Sequence, residues 1–371
     1  MAEEELVQPR GWAESMDPRG KETEVTTVEF RIVDEATRQT WNQLATSFPE
    51  GSVFHSWEWM EVAGELYNAQ PLPVGIFQGE EMVGIYPLFR KRKGPLTLLM
   101  SPVGTIGYGG PLAPQELLPE ILAQQGELAQ RVGADTMDIR SLNNGLQPRF
   151  VAEGYDLEEL KTIVLALETD VDALWSNLKP VCRTAVRRAR KKGVVIREAQ
   201  DKSYLDAYYD MALDTYAKSN RLPPVSRQEY EMVWDHLHPR GMVKVLLAMH
   251  EEQILAGLTL FRFGGRIYYW DGAAYRRFYP FNANNLLHWT AIEEAVAEGV
   301  TAYDMLGANI PSIARFKKSF GGEIVPYTLA RKDLSQRAQL GRQLYFWVVP
   351  RVRRAQFWIQ ARREQLEEAL R

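Results

Sequence analysis

PVGIFQGEEMVGIYPLF at residues 73–89 and KVLLAMHEEQILAGLTLF at residues 244–261 decide the fold of this chain. Each places an apolar stretch, a four-residue polar turn and a second apolar stretch containing a Val-Gly or Ala-Gly pair, which is the pattern of a β-hairpin. The two lie about 170 residues apart, a period that points to duplication of one α/β unit rather than to one large core. Any hairpin shares some of these features, so the order of flanking elements has to carry the argument.

That order repeats. Around the first hairpin, VEFRIV reads as a strand, ATRQTWNQLATSF and SWEWMEVAGEL as helices, LTLLMS as a strand, residues 115–131 as a helix and DTMDIRS as a strand. Around the second, VVIRE, helices over roughly 202–219 and 226–237, RIYYWDGAA, a helix over about 284–298, TAYDMLG, a short helix near 313–320 and EIVPYTLA follow in the same sequence. The reading divides the chain into a disordered leader over 1–27, α/β domains over 28–165 and 166–332, and basic amphipathic helices over 333–371.

Composition sets the function classes. With 371 residues, 45% hydrophobic and 25% charged, the chain is a folded protein long enough for two cores. A net charge of -4 supplies no global field for nucleic acid or anionic lipid, so such partners would have to meet a local basic patch. Cys182 is the only cysteine, which excludes disulfide frameworks and cysteine-based metal sites. The polar, acidic start has no signal-peptide character, and no run of about eighteen apolar residues occurs, so a cytoplasmic location, or the inner membrane face, is expected.

The stretch from Phe261 to Tyr327 carries a family resemblance. YYWDGAA at 268–274, NANNLLHWTAIEEAVAEGVTAYDMLGA at 282–308 and ARFKKSFGGEIVPY at 314–327 resemble the second domain of the Fem-type aminoacyltransferases and the GNAT-like acyltransferases around them. FHSWEWMEVAGELYN at 54–68, CRTAVRRARKKGVVI at 182–196 and TYAKSNRLPPVSRQEYE at 215–231 agree, in the family's order. The resemblance spans about residues 28–332. It implies an α/β fold with mixed sheets, built from two tandem GNAT-like domains. It also implies transfer of an amino acid from aminoacyl-tRNA to an amine of a peptidoglycan precursor, with no cofactor. Two departures stand out: Glu61 and Ala63 occupy the region where relatives carry a phosphate-binding lysine, and no long helical arm is inserted.

The resemblance assigns roles to Lys317 and Arg221, while Tyr216, Asp271 and Tyr108 are read from their own positions in the sequence. Lys317, in the FK turn, would bind the donor or stabilise a developing oxyanion, the alternative being a solvated lysine. Arg221 would place the acceptor, with Tyr216 in the same cleft. Asp271 sets a carboxylate at a strand end, where it could hold an ammonium, accept its proton, or merely cap the next segment. Tyr108, in the glycine-rich PVGTIGYGGPLAP at 102–114, could line the acceptor groove between the domains, the alternative being that these glycines simply turn the chain. Independently of the family, Arg183 and Arg187 share a helix face that could grip phosphates or simply be solvated. Asp304 and His288 read as structural, and His236 and His238, without nearby carboxylates, form no metal site.

The donor question turns on YRRFYPFNANN at 275–285. Where CoA-binding relatives carry glycines that admit a pyrophosphate, this segment has none, which argues for a donor other than acetyl-CoA. A CoA- or carrier-dependent N-acyltransferase is the alternative. The arginine- and aromatic-rich tail beyond 333 suits either peripheral membrane contact or packing on the first domain.

Overall fold

The computed structural model describes residues 27–104, 106–217 and 222–342. Their strands form one mixed twelve-stranded sheet, β1 (Val28–Ile32), β2 (Gln70–Gln78), β3 (Glu81–Lys93), β4 (Leu96–Ser101), β5 (Thr136–Ser141), β6 (Asp156–Ala166), β7 (Val195–Glu198), β8 (Val243–His250), β9 (Gln253–Phe263), β10 (Arg266–Ala274), β11 (Ala302–Asp304) and β12 (Glu323–Asp333). The helices are α1 (Arg38–Ser47), α2 (Trp57–Leu66), α3 (Leu118–Arg131), α4 (Gln147–Ala152), α5 (Val171–Asn177), α6 (Pro180–Lys191), α7 (Leu205–Ala217), α8 (Arg227–Leu237), α9 (Ala283–Ala297) and α10 (Pro311–Lys318). Both diagnostic hairpins form, as β2–β3 and β8–β9, with their polar residues at the turns.

The strand order is β1-β2-β3-β4-β5-β12-β6-β11-β10-β9-β8-β7. It reads as two mirrored halves that exchange their last strands: β12 pairs with β5 through Thr328↔Ser141, and β6 pairs with β11 through Tyr303↔Leu165. The seam is the long antiparallel β6–β12 ladder from Glu323↔Val164 to Arg331↔Asp156. Neither half completes its sheet without the other's strand. The sequence reading assigned no strand to DLEELKTIVLA, because its outer half is polar and both its partners are distant in sequence.

Packing binds the halves further. One face of the sheet carries a single core shared by α1, α2, α7 and α8, in which Trp59 packs on Phe261 at 5.1 Å and Phe54 on Tyr268 at 6.0 Å. The opposite face divides into two cores, one beneath α3 and α4, the other beneath α6 and α9. Caps seat the shared layer: the Ser56 side chain accepts from Trp59 N–H at the start of α2, and Ser226 and Glu229 form a capping box on α8.

Only the β4–β5 and β10–β11 contacts are parallel, and both are short. The β10–β11 ladder ends at Tyr268↔Asp304, whereas β10 runs on to Ala274 paired only with β9. The sheet therefore opens beyond Tyr268, and the bulge between Tyr269 and Asp271 re-aims the side chains at that opening. Among the described residues, no helix is long and apolar enough to cross a membrane.

The described start of the tail is a helix over 336–342 lying on the first half. Arg337 pairs with Asp135, Arg342 with Asp156 and Asp333, and Ala338 is buried. Residues 343–371, which carry most of the expected interfacial surface, lie outside the described residues.

Candidate active site

The opening in the second half is bounded by α9. Its N-terminal residue Asn282 has φ 56°, the left-handed conformation a glycine would adopt most easily, and its side chain supplies no cap to the helix. The glycine-free stretch before it coils as a 3-10 turn over Arg276–Phe281. A cavity of about 190 Å³ lies here, walled by Phe278, Tyr279, Asn282, Asn284, Asn285 and Phe316. A narrow crevice of about 20 Å³, sharing Asn284 and Phe316, continues inward past Gly257, Tyr269, Gly272 and His288. The uncapped helix end carries partial positive charge, and the crevice leads to the opened strand.

Asp271 lies on β10 between the crevice residues Tyr269 and Gly272, but its carboxyl turns to the other face of the sheet, towards α7 and α8. Its Oδ2 accepts from the Tyr230 hydroxyl at 2.7 Å and from the Tyr208 hydroxyl at 3.1 Å; Tyr208 in turn accepts from Thr259. Burial raises the carboxyl above its ordinary range, against the two phenols that favour its charged form. Tyr216 is half-buried close by, its phenol raised by burial and then by the Asp271 charge. Asp271 and Tyr216 are thus near neighbours, although they were singled out separately, Tyr216 for the cleft of Arg221. Tyr208 and Tyr230 were missed, since nothing in their spacing on α7 and α8 points to a carboxylate 63 or 41 residues away.

Lys317 is buried, with 6% exposure, on α10. Its ammonium donates to the carbonyls of Met305, Leu306 and Gly307 at 2.6, 2.7 and 3.0 Å and lies 4.9 Å from the Tyr269 ring centre. Burial lowers its pKa to about 8, while Asp304 acts in the opposite sense. The alternative of a solvated lysine therefore fails. So does the picture of a free donor, because three carbonyls already take its protons, and Lys317 fixes the turn after β11. Asp304 itself is buried and accepts from Tyr108, Thr162 and the Leu306 amide. His288, wholly enclosed, pairs with the Tyr303 hydroxyl at 2.7 Å, and burial, then the Lys317 charge, drops its pKa to about 3.

Two expected ligand residues are otherwise engaged. Tyr108 does not line a groove: it is 1% exposed, its hydroxyl donates to Asp304 at 2.6 Å, and its ring meets Phe54 and Tyr327 edge-on. A large apolar ring with one satisfied hydroxyl suits that interior better than a wet cleft. Arg183 folds back on α5, donating to Ser176 O at 2.7 Å and Leu178 O at 2.5 Å, so it caps a helix end instead of gripping phosphate. Arg187 remains exposed, its guanidinium 5.4 Å from the Trp175 ring centre. Arg221 lies outside the described residues.

Residues 176–318 match the family model described as "Acetyltransferase (GNAT) domain". The chain carries a GNAT acyltransferase domain. Solved structures extend the likeness to both halves. FemX is 17% identical, with 81% of this chain and 96% of that one covered at a TM-score of 0.68. A tandem GNAT protein from the clavulanic acid biosynthesis pathway is 12% identical over 83% and 99%, at 0.55. The C-terminal domain assigned to a lysylphosphatidylglycerol synthetase of Agrobacterium fabrum is 11% identical over 83% and 94%, at 0.56. At these identities the structural likeness shows the fold. No curated protein matches the chain in sequence. The GNAT domain places the α9 cavity at the helix that follows its fourth strand, with Asp271 on that strand's far end.

Proposed function

We propose that this acyltransferase moves an aminoacyl group from aminoacyl-tRNA to an amine of a peptidoglycan precursor. The observation that carries the reading is the wall of the α9 cavity. Phe278 and Tyr279 wall the cavity where a glycine loop would admit pyrophosphate; of the two arginines beside them, Arg276 is held by Asp214. Arg277 lies over the Tyr275 and Phe278 rings at 4.7 Å from each centre, and Tyr279 is 52% exposed. Aromatic faces interleaved with cations suit the stacked bases and phosphates of a single-stranded RNA end. Arg187, Arg188 and Lys191 extend exposed positive charge along α6.

The chemistry is read from the opened end of β10, which bears crevice residues on one face and the Asp271 carboxyl on the other. The acceptor amine, held as its ammonium at Asp271, gives up a proton to the carboxylate, which burial makes more basic than an ordinary one. The freed nitrogen attacks the ester carbonyl and an N–C bond forms; the C–O bond to the ribose breaks as the leaving oxygen takes the second proton of the amine, and the first passes from Asp271 to water. Tyr208 and Tyr230 hold the carboxylate in place, while Lys317 positions the turn opposite it.

The uncapped N-terminus of α9 favours a second reading, a CoA-dependent N-acyltransferase, because a pyrophosphate would find unpaired N–H groups there. Calorimetry separates the two: no acetyl-CoA binding is expected below millimolar concentration, and micromolar binding would favour CoA.

A further inference from the structure

Arg140 lies on β5 with 8% exposure and no carboxylate within ion-pairing distance among the described residues. Asp138, two residues earlier, is occupied by Arg331 through three hydrogen bonds. Nη2 of Arg140 donates to the Gly104 carbonyl, while Nη1 is enclosed and has no partner among the described residues. Buried arginines are ordinarily paired, since an enclosed guanidinium without an anion is costly. The Tyr67 ring lies against Gly104, whose carbonyl Arg140 holds, and Tyr327 stands two residues before Leu329, the β12 partner of Arg140; no hydrogen bond of either hydroxyl occurs among the described residues. Gly104 makes room for this cluster: with φ 89°, it lies so close to the Tyr67 ring that an added Cβ would meet it at 2.5 Å.

The position matters as much as the composition. Tyr67 ends α2, which packs on α8, and its phenol feels the charge of Glu229. The next residue, Tyr230, donates to Asp271. Arg140 and Asp271 therefore lie on the same face of the sheet, one in each half, joined through α2 and α8.

We propose that Arg140, with the Tyr67 and Tyr327 hydroxyls, forms an oxyanion-binding site for a carboxylate or phosphate group of the acceptor. A planar guanidinium fork accepts either group in a two-point contact, and the phenols supply two further donors. The site selects an acceptor that bears an oxyanion as well as an amine. The identity of its carrier rests on the acyl-transfer reading; the binding of an oxyanion does not.

Thermal melts of the full-length protein test the site without turnover, so a negative result leaves the acyl-transfer reading standing. Melts are recorded in chloride, then with sodium phosphate or sodium succinate at matched ionic strength. Wild type is expected to gain at least about 3 °C with one of the two, which also tells phosphate from carboxylate. Arg140→Met is expected to match or exceed wild type in chloride, because a buried unpaired charge is gone, and to lose the anion response. Arg140→Lys keeps a point charge without the fork and should weaken the apparent affinity at least tenfold; it carries the test if the methionine variant does not fold. Arg31→Gln, which removes a half-buried cation on β1 that is paired with Glu29 and Glu80, should respond like wild type. A wild type indifferent to both anions, or an Arg140 variant with the full wild-type response, overturns the site.

Discussion

Tyr108→Phe removes one oxygen from the centre of the molecule and should weaken the union of the two halves. The lost bond is the 2.6 Å donation to Asp304, made from the first half's glycine-rich loop to the second half's β11. A hydrogen bond to a charged acceptor contributes about 1.5–3 kcal/mol. Asp304 keeps Thr162 at 2.6 Å and the Leu306 amide at 2.9 Å, so the carboxylate stays partly satisfied and the loss should be about 2 kcal/mol. In a chain of this length each kcal/mol moves the melting temperature by about 2 °C, which gives a fall of about 4 °C. Urea titration followed by tryptophan fluorescence reads the loss, and Asp304→Asn in the same background should cost less than it does alone, as the two share one bond. A variant within about 0.5 kcal/mol of wild type would refute the reasoning. A tenfold rise in acceptor KM at unchanged stability would restore Tyr108 to a binding groove.

Further outcomes follow from the same geometry. His288 and His55 are enclosed with pKa values of about 3 and 4, below the ordinary 6.5, so both are neutral in the native state. Stability is fully present above pH 6.5 and falls as pH drops, because the unfolded chain binds protons the native one refuses; His288→Gln should flatten the loss between pH 6 and 4.5 by about 1.4 kcal/mol per pH unit. Asp271→Asn should reduce turnover at least tenfold and abolish the acidic limb of the pH–rate profile; unchanged kinetics would take Asp271 out of the site. Gly257→Ala would set a Cβ 2.5 Å from the Tyr208 ring and should slow turnover through Asp271, whereas Gly84→Ala, its counterpart in the first hairpin, meets Leu112 O at 2.4 Å and should cost stability alone. Lys317→Ala should lower turnover and also destabilise the fold by about 2–4 kcal/mol, since it strands the carbonyls of residues 305–307.

The hairpins at 73–89 and 244–261 were legible because strand alternation and polar turns are local, and α9 because its apolar run is long. The strand exchange was not. β6 and β12 find partners on both sides only through distant segments, and a division at 165 and 166 leaves β6 in the first half's sequence but beside β11 in the sheet. The same limit applies to the site. Asp271 could be singled out from the strand that bears it, but its two phenols come from helices on which no spacing marks them. Lys317 stood out by its motif, while its burial under three carbonyls depends on the fold. Arg183 looked like a free cation because sequence shows charge without showing which carbonyls lie within reach.

Direct transfer decides the central claim. Purified full-length protein is incubated with an amine-bearing peptidoglycan precursor and either tRNA charged with radiolabelled amino acids or radiolabelled acetyl-CoA, and the product is resolved by mass. The account predicts label in the precursor from charged tRNA, abolished by ribonuclease and by Asp271→Asn, and none from acetyl-CoA. Label arriving from acetyl-CoA and not from charged tRNA would contradict it.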